Sequence, residues 1–269
     1  MKLNQELHIE TITTSRGDEV SFCPQRGGMV TSLKFQGREV LYFDESTFYN
    51  RDTSVRGGIP ILFPNAGIIP EGAQNSELSN LKRHGFARDM EWDFQKESRG
   101  FSESLVSNAE TKKVFPYDFK LSLRGEFQDD GSFTLYQKIE NLDTRDLPVS
   151  SGLHPYFKVD PSNKRNVQFD FPGGEIIKGN TDQWASGETV CIDNPSTPMS
   201  MTIPNMGTLV LQLSPEYEKI WVWSMPEKDF ICIEPVMRDE GGIVQNPCII
   251  EPRKSLEVSF NIRLEEAIH

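Results

Sequence analysis

The chain is 269 residues long, with 40 Asp and Glu against 28 Lys and Arg and a net charge of −12. That acidic balance excludes a general nucleic-acid surface, which needs a basic stripe of its own. Hydrophobic residues at 36% and charged residues at 25% fit a globular protein with a sizeable core. No apolar run reaches the roughly 20 residues that cross a bilayer. The opening MKLNQELHIETITTSRGDE interrupts every apolar residue with charges and is not a secretory signal, so a cytoplasmic location is expected. Cys23, Cys191, Cys232 and Cys248 form no CxxC pair; buried, reduced thiols are expected and the spacing offers no structural zinc site.

In chain order, alternation from Leu7 to Thr11 and an apolar patch ending at Cys23 predict two strands around a turn at Ser15 to Asp18. Val30 to Phe35 and Val40 to Phe43 repeat the pattern around Gln36-Gly37. Phe115 to Phe127 and Phe133 to Ile139 flank Asp129-Asp130-Gly131, a hairpin turn in which glycine accepts positive φ without steric cost. Phe133, Leu135, Gln137 and Ile139 then share one face. Phe169 to Phe171, Ile176-Ile177 and Glu188 to Ile192 read as short strand pieces broken by glycine and proline. Leu209, Leu211 and Leu213 alternate strictly, and Ile220 to Trp223 and Phe230 to Glu234 form two further strands. Leu256, Val258, Phe260, Ile262 and Leu264 carry the cleanest two-residue period and should cross the core. Short strands at intervals of roughly ten residues, with no long amphipathic helix, repeat or linker, predict an all-β sandwich in one continuous domain over residues 1–269.

The stretch from Ser54 to Trp92 differs from its surroundings. Arg56, Gly57-Gly58 and an apolar run from Ile59 to Phe63 with a proline at each side let backbone approach something closely. Lys82, Arg83, His84 and Arg88 then fall within seven residues, a local reversal of the chain's sign that suits an anionic or oxygen-rich ligand, or a tight turn with solvated basic residues.

Of four histidines, His8 and His269 lie near the termini. His84 and His154 each sit among glycine and aromatic residues, in HGF and GLHPYF, where an imidazole can be held firmly for acid–base work or can simply be a satisfied core group. In FICIEP, strand alternation puts Phe230, Cys232 and Glu234 on one face, so the carboxylate ends a strand on a largely apolar surface, with Pro235 closing the ladder. Buried carboxylates are costly unless partnered or used. A carboxylate facing a histidine across a pocket suffices to move a proton on and off a hemiacetal. No GxSxG, P-loop, GxGxxG or HExxH motif is present, and no metal or cofactor is expected. Asp239-Glu240-Gly241-Gly242 reads as a solvated turn.

Four blocks taken together, RGGIPILFP at 56–64, HGFARDMEW at 84–92, SGLHPYF at 151–157 and ICIEP at 231–235, resemble the aldose 1-epimerase (galactose mutarotase-like) superfamily. The resemblance implies a β-supersandwich of large, curved antiparallel sheets with a sugar cleft on the concave face. It also implies interconversion of α and β anomers of an aldose, with His154 as general acid, Glu234 as general base and His84 polarising a ring oxygen. RGGIP and HGFAR further resemble the hexose-6-phosphate branch, in which Arg56 and Arg88 would hold the phosphate; planar guanidinium donors suit that task. Asp182 in NTDQW is the candidate sugar-hydroxyl contact. The expected partner is a small sugar or sugar phosphate, acting on a monomer or homodimer without a cofactor. A non-catalytic sugar-binding domain with the same fold is the alternative.

Overall fold

The structure is a computed structural model that describes residues 7–72 and 77–265. Its largest sheet has eight strands in the order Gln168–Asp170, Met199–Ile203, Gly207–Leu213, Ser255–Glu265, Phe133–Asn141, Phe119–Phe127, Gly100–Val106 and Asp93–Glu97, each antiparallel to its neighbour. The strand with the cleanest period, Ser255–Glu265, lies inside this sheet, between Gly207–Leu213 and Phe133–Asn141. Its alternation is a burial pattern: Val258, Phe260 and Ile262 are buried and meet Leu121, Leu123, Phe133, Leu135 and Leu211 in the main core. Burying each such side chain contributes about 1.5–3 kcal/mol. Gln137, on the same inward face as its apolar neighbours, accepts a hydrogen bond at Oε1 from Ser151 Oγ at 3.1 Å.

A second sheet of six strands packs over that core. Its order is Val190–Asp193, Lys219–Trp223, Phe230–Val236, Gly152–Leu153 and Ile61–Leu62, with Tyr156–Lys158 also paired to Phe230–Val236. All seven residues of its central strand Phe230–Val236 are buried. Ile220, Val222, Ile231 and Ile233 point into the core, while Trp221, Trp223, Cys232 and Glu234 belong to the opposite face. A four-stranded sheet, Glu10–Thr13, Glu19–Cys23, Met29–Phe35 and Arg38–Glu39, and the pair Leu147–Val149 with Cys248–Ile250 complete the arrangement. These large antiparallel sheets are the all-β supersandwich expected.

Some elements differ from the sequence reading. Ile176 and Ile177 lie in a helix, Gly174–Gly179, not a strand; a two-residue apolar pair carries no period, and Gly173 at φ 98° turns the chain into the helix. Pro235 does not end its ladder. It pairs in register with Ile220, and the strand runs on to Val236, so Glu234 sits in the interior of the sheet and not at its edge. Cys23 and Cys232 are buried, but Cys191 is exposed. No described helix is long and apolar enough to cross a membrane. His269 lies outside the described residues.

Candidate active site

The outer face of the six-stranded sheet forms the floor of a cleft of about 810 Å³, within the range of about 300–1,000 Å³ for small-molecule sites. Two cross-strand rows build that floor. Cys191, Trp221 and Glu234 are register partners across three strands, and Trp223, Cys232 and Tyr156 form the next row. Both indoles are pinned by their ring N–H groups, Trp223 to Gly187 O at 2.9 Å and Trp221 to Asp239 Oδ1 at 3.4 Å.

His154 enters from the turn between Gly152–Leu153 and Tyr156–Lys158. Its backbone N–H donates to Pro60 O at 3.0 Å, which ties the HPYF and RGGIP blocks together. The imidazole stacks on the Tyr156 ring, 4.6 Å between centroids and 5° from parallel, and meets Trp223 edge-on at 6.1 Å. Its Nε2 stands 3.4 Å from Glu234 Oε1, with 7% of His154 and 3% of Glu234 exposed. Burial drives His154 well below the usual imidazole range, and His84 and Arg88 add to the effect. Burial likewise drives the Glu234 carboxyl well above the usual carboxylate range, against the pull of Arg83. Both shifts favour the uncharged forms of the two groups.

His84 stands 5.6 Å from His154, ring centre to ring centre and close to perpendicular. Its position depends on an unusual backbone. His84 has φ 66°, its N–H donates to Gly67 O at 2.8 Å, and Gly85 beside it has φ 69°. A Cβ on Gly85 would lie 2.0 Å from Phe63 O, so only glycine lets the HGF turn press onto the Ile59-to-Phe63 run. His84 Nδ1 accepts from the Gly67 N–H at 3.1 Å, which leaves the ring proton on Nε2 as a donor. Burial, with Arg88 and then Arg83, pushes this imidazole down to about 3, so it is a neutral donor.

Arg56, Arg83 and Arg88 line the cleft together with these groups, and the Arg88 guanidinium donates to Arg83 O at 3.2 Å. The cluster of basic residues is thus a cleft wall. Acids line the same cleft: Asp239 has its carboxylate 2.8 Å from Lys219 Nζ, and Glu240 pairs with Arg83 at 3.7 Å. Asp182 is elsewhere. It lies on the helix Thr181–Ser186, exposed and ion-paired with Arg165, and is not among the cleft residues. Asp182, the expected sugar-hydroxyl contact, therefore lies outside the cleft, whereas Asp239 and Glu240, read from the sequence as a solvated turn, are among the residues that line it. Trp221 and Trp223 were read only as strand residues. Their i, i+2 spacing puts two indoles on one face, a signal that could have marked that face as a platform.

A sequence profile of the aldose 1-epimerase family matches residues 10–205. The chain belongs to the aldose 1-epimerase family. Among family relatives, a protein of Cenchrus ciliaris named "Putative glucose-6-phosphate 1-epimerase" is 29% identical over 155 residues, 53% of this chain and 44% of that one. One of the same name from Escherichia coli K12 is 29% identical over 157 residues, 55% of this chain and 48% of the relative. The matched region therefore spans about half the length of these curated relatives. The crystal structure of the Slr1438 protein from Synechocystis sp. PCC 6803 superposes with a TM-score of 0.86 at 27% identity, covering 98% of this chain and 97% of that one. Galactose 1-epimerase from Lactobacillus acidophilus NCFM shares the fold, with a TM-score of 0.73 at 12% identity over 100% of this chain and 97% of its own.

Proposed function

We propose that this member of the aldose 1-epimerase family is a cytoplasmic mutarotase that interconverts the α and β anomers of an aldohexose or hexose 6-phosphate. The observation that carries the reading is the His154–Glu234 pair, 3.4 Å apart on the floor of a cleft lined by aromatic and hydroxyl-binding groups. A sugar seated over the two residues in the cleft meets the pair in its imidazolium–carboxylate form, which differs from the uncharged form only by one proton moved from carboxyl to imidazole. Glu234 takes the proton from the anomeric hydroxyl while His154 gives its proton to the ring oxygen. The C1–O5 bond breaks, C1–O1 becomes a carbonyl and O5 becomes a hydroxyl. Rotation about C1–C2 presents the other carbonyl face; on closure His154 takes its proton back from O5, and Glu234 returns its proton to O1 to form the new anomeric hydroxyl. The neutral Nε2–H of His84 is the donor that steadies a substrate oxygen as charge shifts.

Arg56, Arg83 and Arg88, all lining the cleft, favour a phosphorylated hexose, a reading supported by the names of the two relatives. Asp239 in the same cleft is the acceptor for a sugar hydroxyl, and Trp221 and Trp223 offer faces for the apolar side of the ring.

The direct test follows the anomer signals of fresh α-glucose, α-galactose and α-glucose 6-phosphate by NMR. Equilibration faster than in buffer is expected, with kcat falling about 10²- to 10⁴-fold in His154→Ala and Glu234→Gln. Rates equal to buffer for every sugar would refute the activity, and wild-type rates in both variants would refute the His154–Glu234 pair as its acid and base. Arg56→Ala should raise KM for glucose 6-phosphate and leave free glucose unaffected; an equal effect on both sugars removes the phosphate assignment.

A further inference from the structure

The acid–base pair has a third neighbour that mutarotation does not use. Cys232 stands two residues before Glu234 on the same strand face, fully buried against Tyr156 and Phe230. A ring nitrogen of His154, the Cys232 sulfur and a Glu234 carboxylate oxygen lie within 4.8 Å of one another. We propose that His154, Cys232 and Glu234 form a binding site for a thiophilic divalent cation of the zinc class, and that the bound ion switches off the acid–base pair.

The geometry is close to what such an ion requires. Two ligands bonded at about 2.1 Å to one tetrahedral zinc stand about 3.4 Å apart. His154 Nε2 and Glu234 Oε1 are 3.4 Å apart. A sulfur ligand belongs about 3.6 Å from its fellow donors, so from the 4.8 Å limit the thiol has to move by roughly 1.3 Å to close on both. His154 Nδ1 is buried with no hydrogen-bond partner among the described residues, so no neighbour forces the ring proton onto Nε2. A thiolate, a carboxylate and a neutral imidazole around a divalent ion sum to zero charge, the one combination a buried pocket accepts without a counter-ion. His154 and Glu234 line the cleft, which supplies the entry path and room for a water as fourth ligand.

Donor softness selects the metal: one sulfur and one imidazole suit zinc and cobalt and are poor ligands for magnesium or calcium. Arg83 and Arg88 in the same cleft oppose a cation, which makes the site reversible and not a permanent structural centre. The second grouping of potential ligands, Cys191 with Asp193 and Asp239, is a different case. Its two carboxylates already hold the Lys219 ammonium, at 2.6 and 2.8 Å.

The probe is Co²⁺, followed by absorption in the full chain, with Zn²⁺ displacement and mutarotation measured in parallel. Binding does not depend on the mutarotase reading; the inhibition rests on it. One equivalent of Co²⁺ should give an ultraviolet thiolate-to-cobalt band and intense visible bands of a tetrahedral ion, abolished by excess Zn²⁺ and untouched by Mg²⁺. Cys191→Ser should keep the thiolate band, whereas Cys232→Ser should lose it and bind at least about 100-fold more weakly. If Cys232→Ser does not fold, loss of the same band in His154→Ala decides the point. No cobalt binding, a spectrum without the thiolate band, or a band that survives Cys232→Ser or, where that does not fold, His154→Ala overturns the site. Zn²⁺ should lower the mutarotation rate at least tenfold, relieved by sugar; binding without inhibition in an active enzyme overturns the switch. A protein that binds Co²⁺ as described but is inactive on every sugar refutes the mutarotase reading alone.

Discussion

Glu103 is a buried carboxyl outside the cleft. It lies inside the strand Gly100–Val106, 2% exposed, with neither carboxylate oxygen hydrogen-bonded among the described residues. A Cβ on Gly28 would sit 2.9 Å from its Oε2 and 3.0 Å from Trp92, so the carboxyl is wedged beneath the segment that follows the HGFAR turn. Burial alone pushes it from 4.5 up to about 8. The sign follows from the proton count. Between these values the folded protein holds a proton that the unfolded chain has released, so stability falls as pH rises. At about 1.4 kcal/mol per unit, roughly 3 kcal/mol is lost by pH 7 relative to acid conditions, and about 5 kcal/mol above pH 8. Glu103→Gln removes the ionisable group and keeps the shape. Urea unfolding of both proteins from pH 5 to pH 9 should show wild-type stability falling about 4 kcal/mol relative to the variant. Parallel curves would mean that the carboxyl finds a partner or water in solution, and the argument from its isolation would collapse.

Three further outcomes follow. The His84 ring should remain a neutral Nε2–H tautomer in ¹⁵N NMR down to pH 4, since its folded value is about 3; a titration near 6.5 contradicts the Gly67 hydrogen bond as its anchor. Because that value is lowered, the group's contribution to stability is present above 6.5 and is lost as pH falls toward 3. Gly85→Ala should cost about 2–4 kcal/mol in thermal unfolding and reduce activity by displacing His84, because the new methyl meets Phe63 O; an unchanged melting point refutes this close approach. Asp239→Asn should raise KM for free hexose about five- to tenfold with a smaller effect on kcat, while Asp182→Asn leaves both unchanged. The reverse pattern restores the helix residue as the sugar contact.

Local chemistry made much of this protein legible in one dimension. Strand alternation in Phe133–Asn141 and Ser255–Glu265 fixed which residues face the core, because a two-residue period can satisfy only one buried face. The same rule put Cys232 and Glu234 on one side of their strand, and the glycine-bounded aromatic settings of His84 and His154 marked them as the imidazoles to watch. Periodicity failed where it was too short to exist, as at Ile176-Ile177, and where a proline looked like a stop, as at Pro235.

What pairing in space decided was proximity. Nothing within the chain's order says that residue 154 lies 3.4 Å from residue 234, or that the turn bearing Asp239 forms the rim of the same hollow while Asp182 does not. Those facts depend on the register of Tyr156–Lys158 and Lys219–Trp223 on either side of Phe230–Val236. A residue's face is set by its neighbours along the strand, whereas its partners across the sheet are set by hydrogen bonds between segments that the sequence separates by tens of residues.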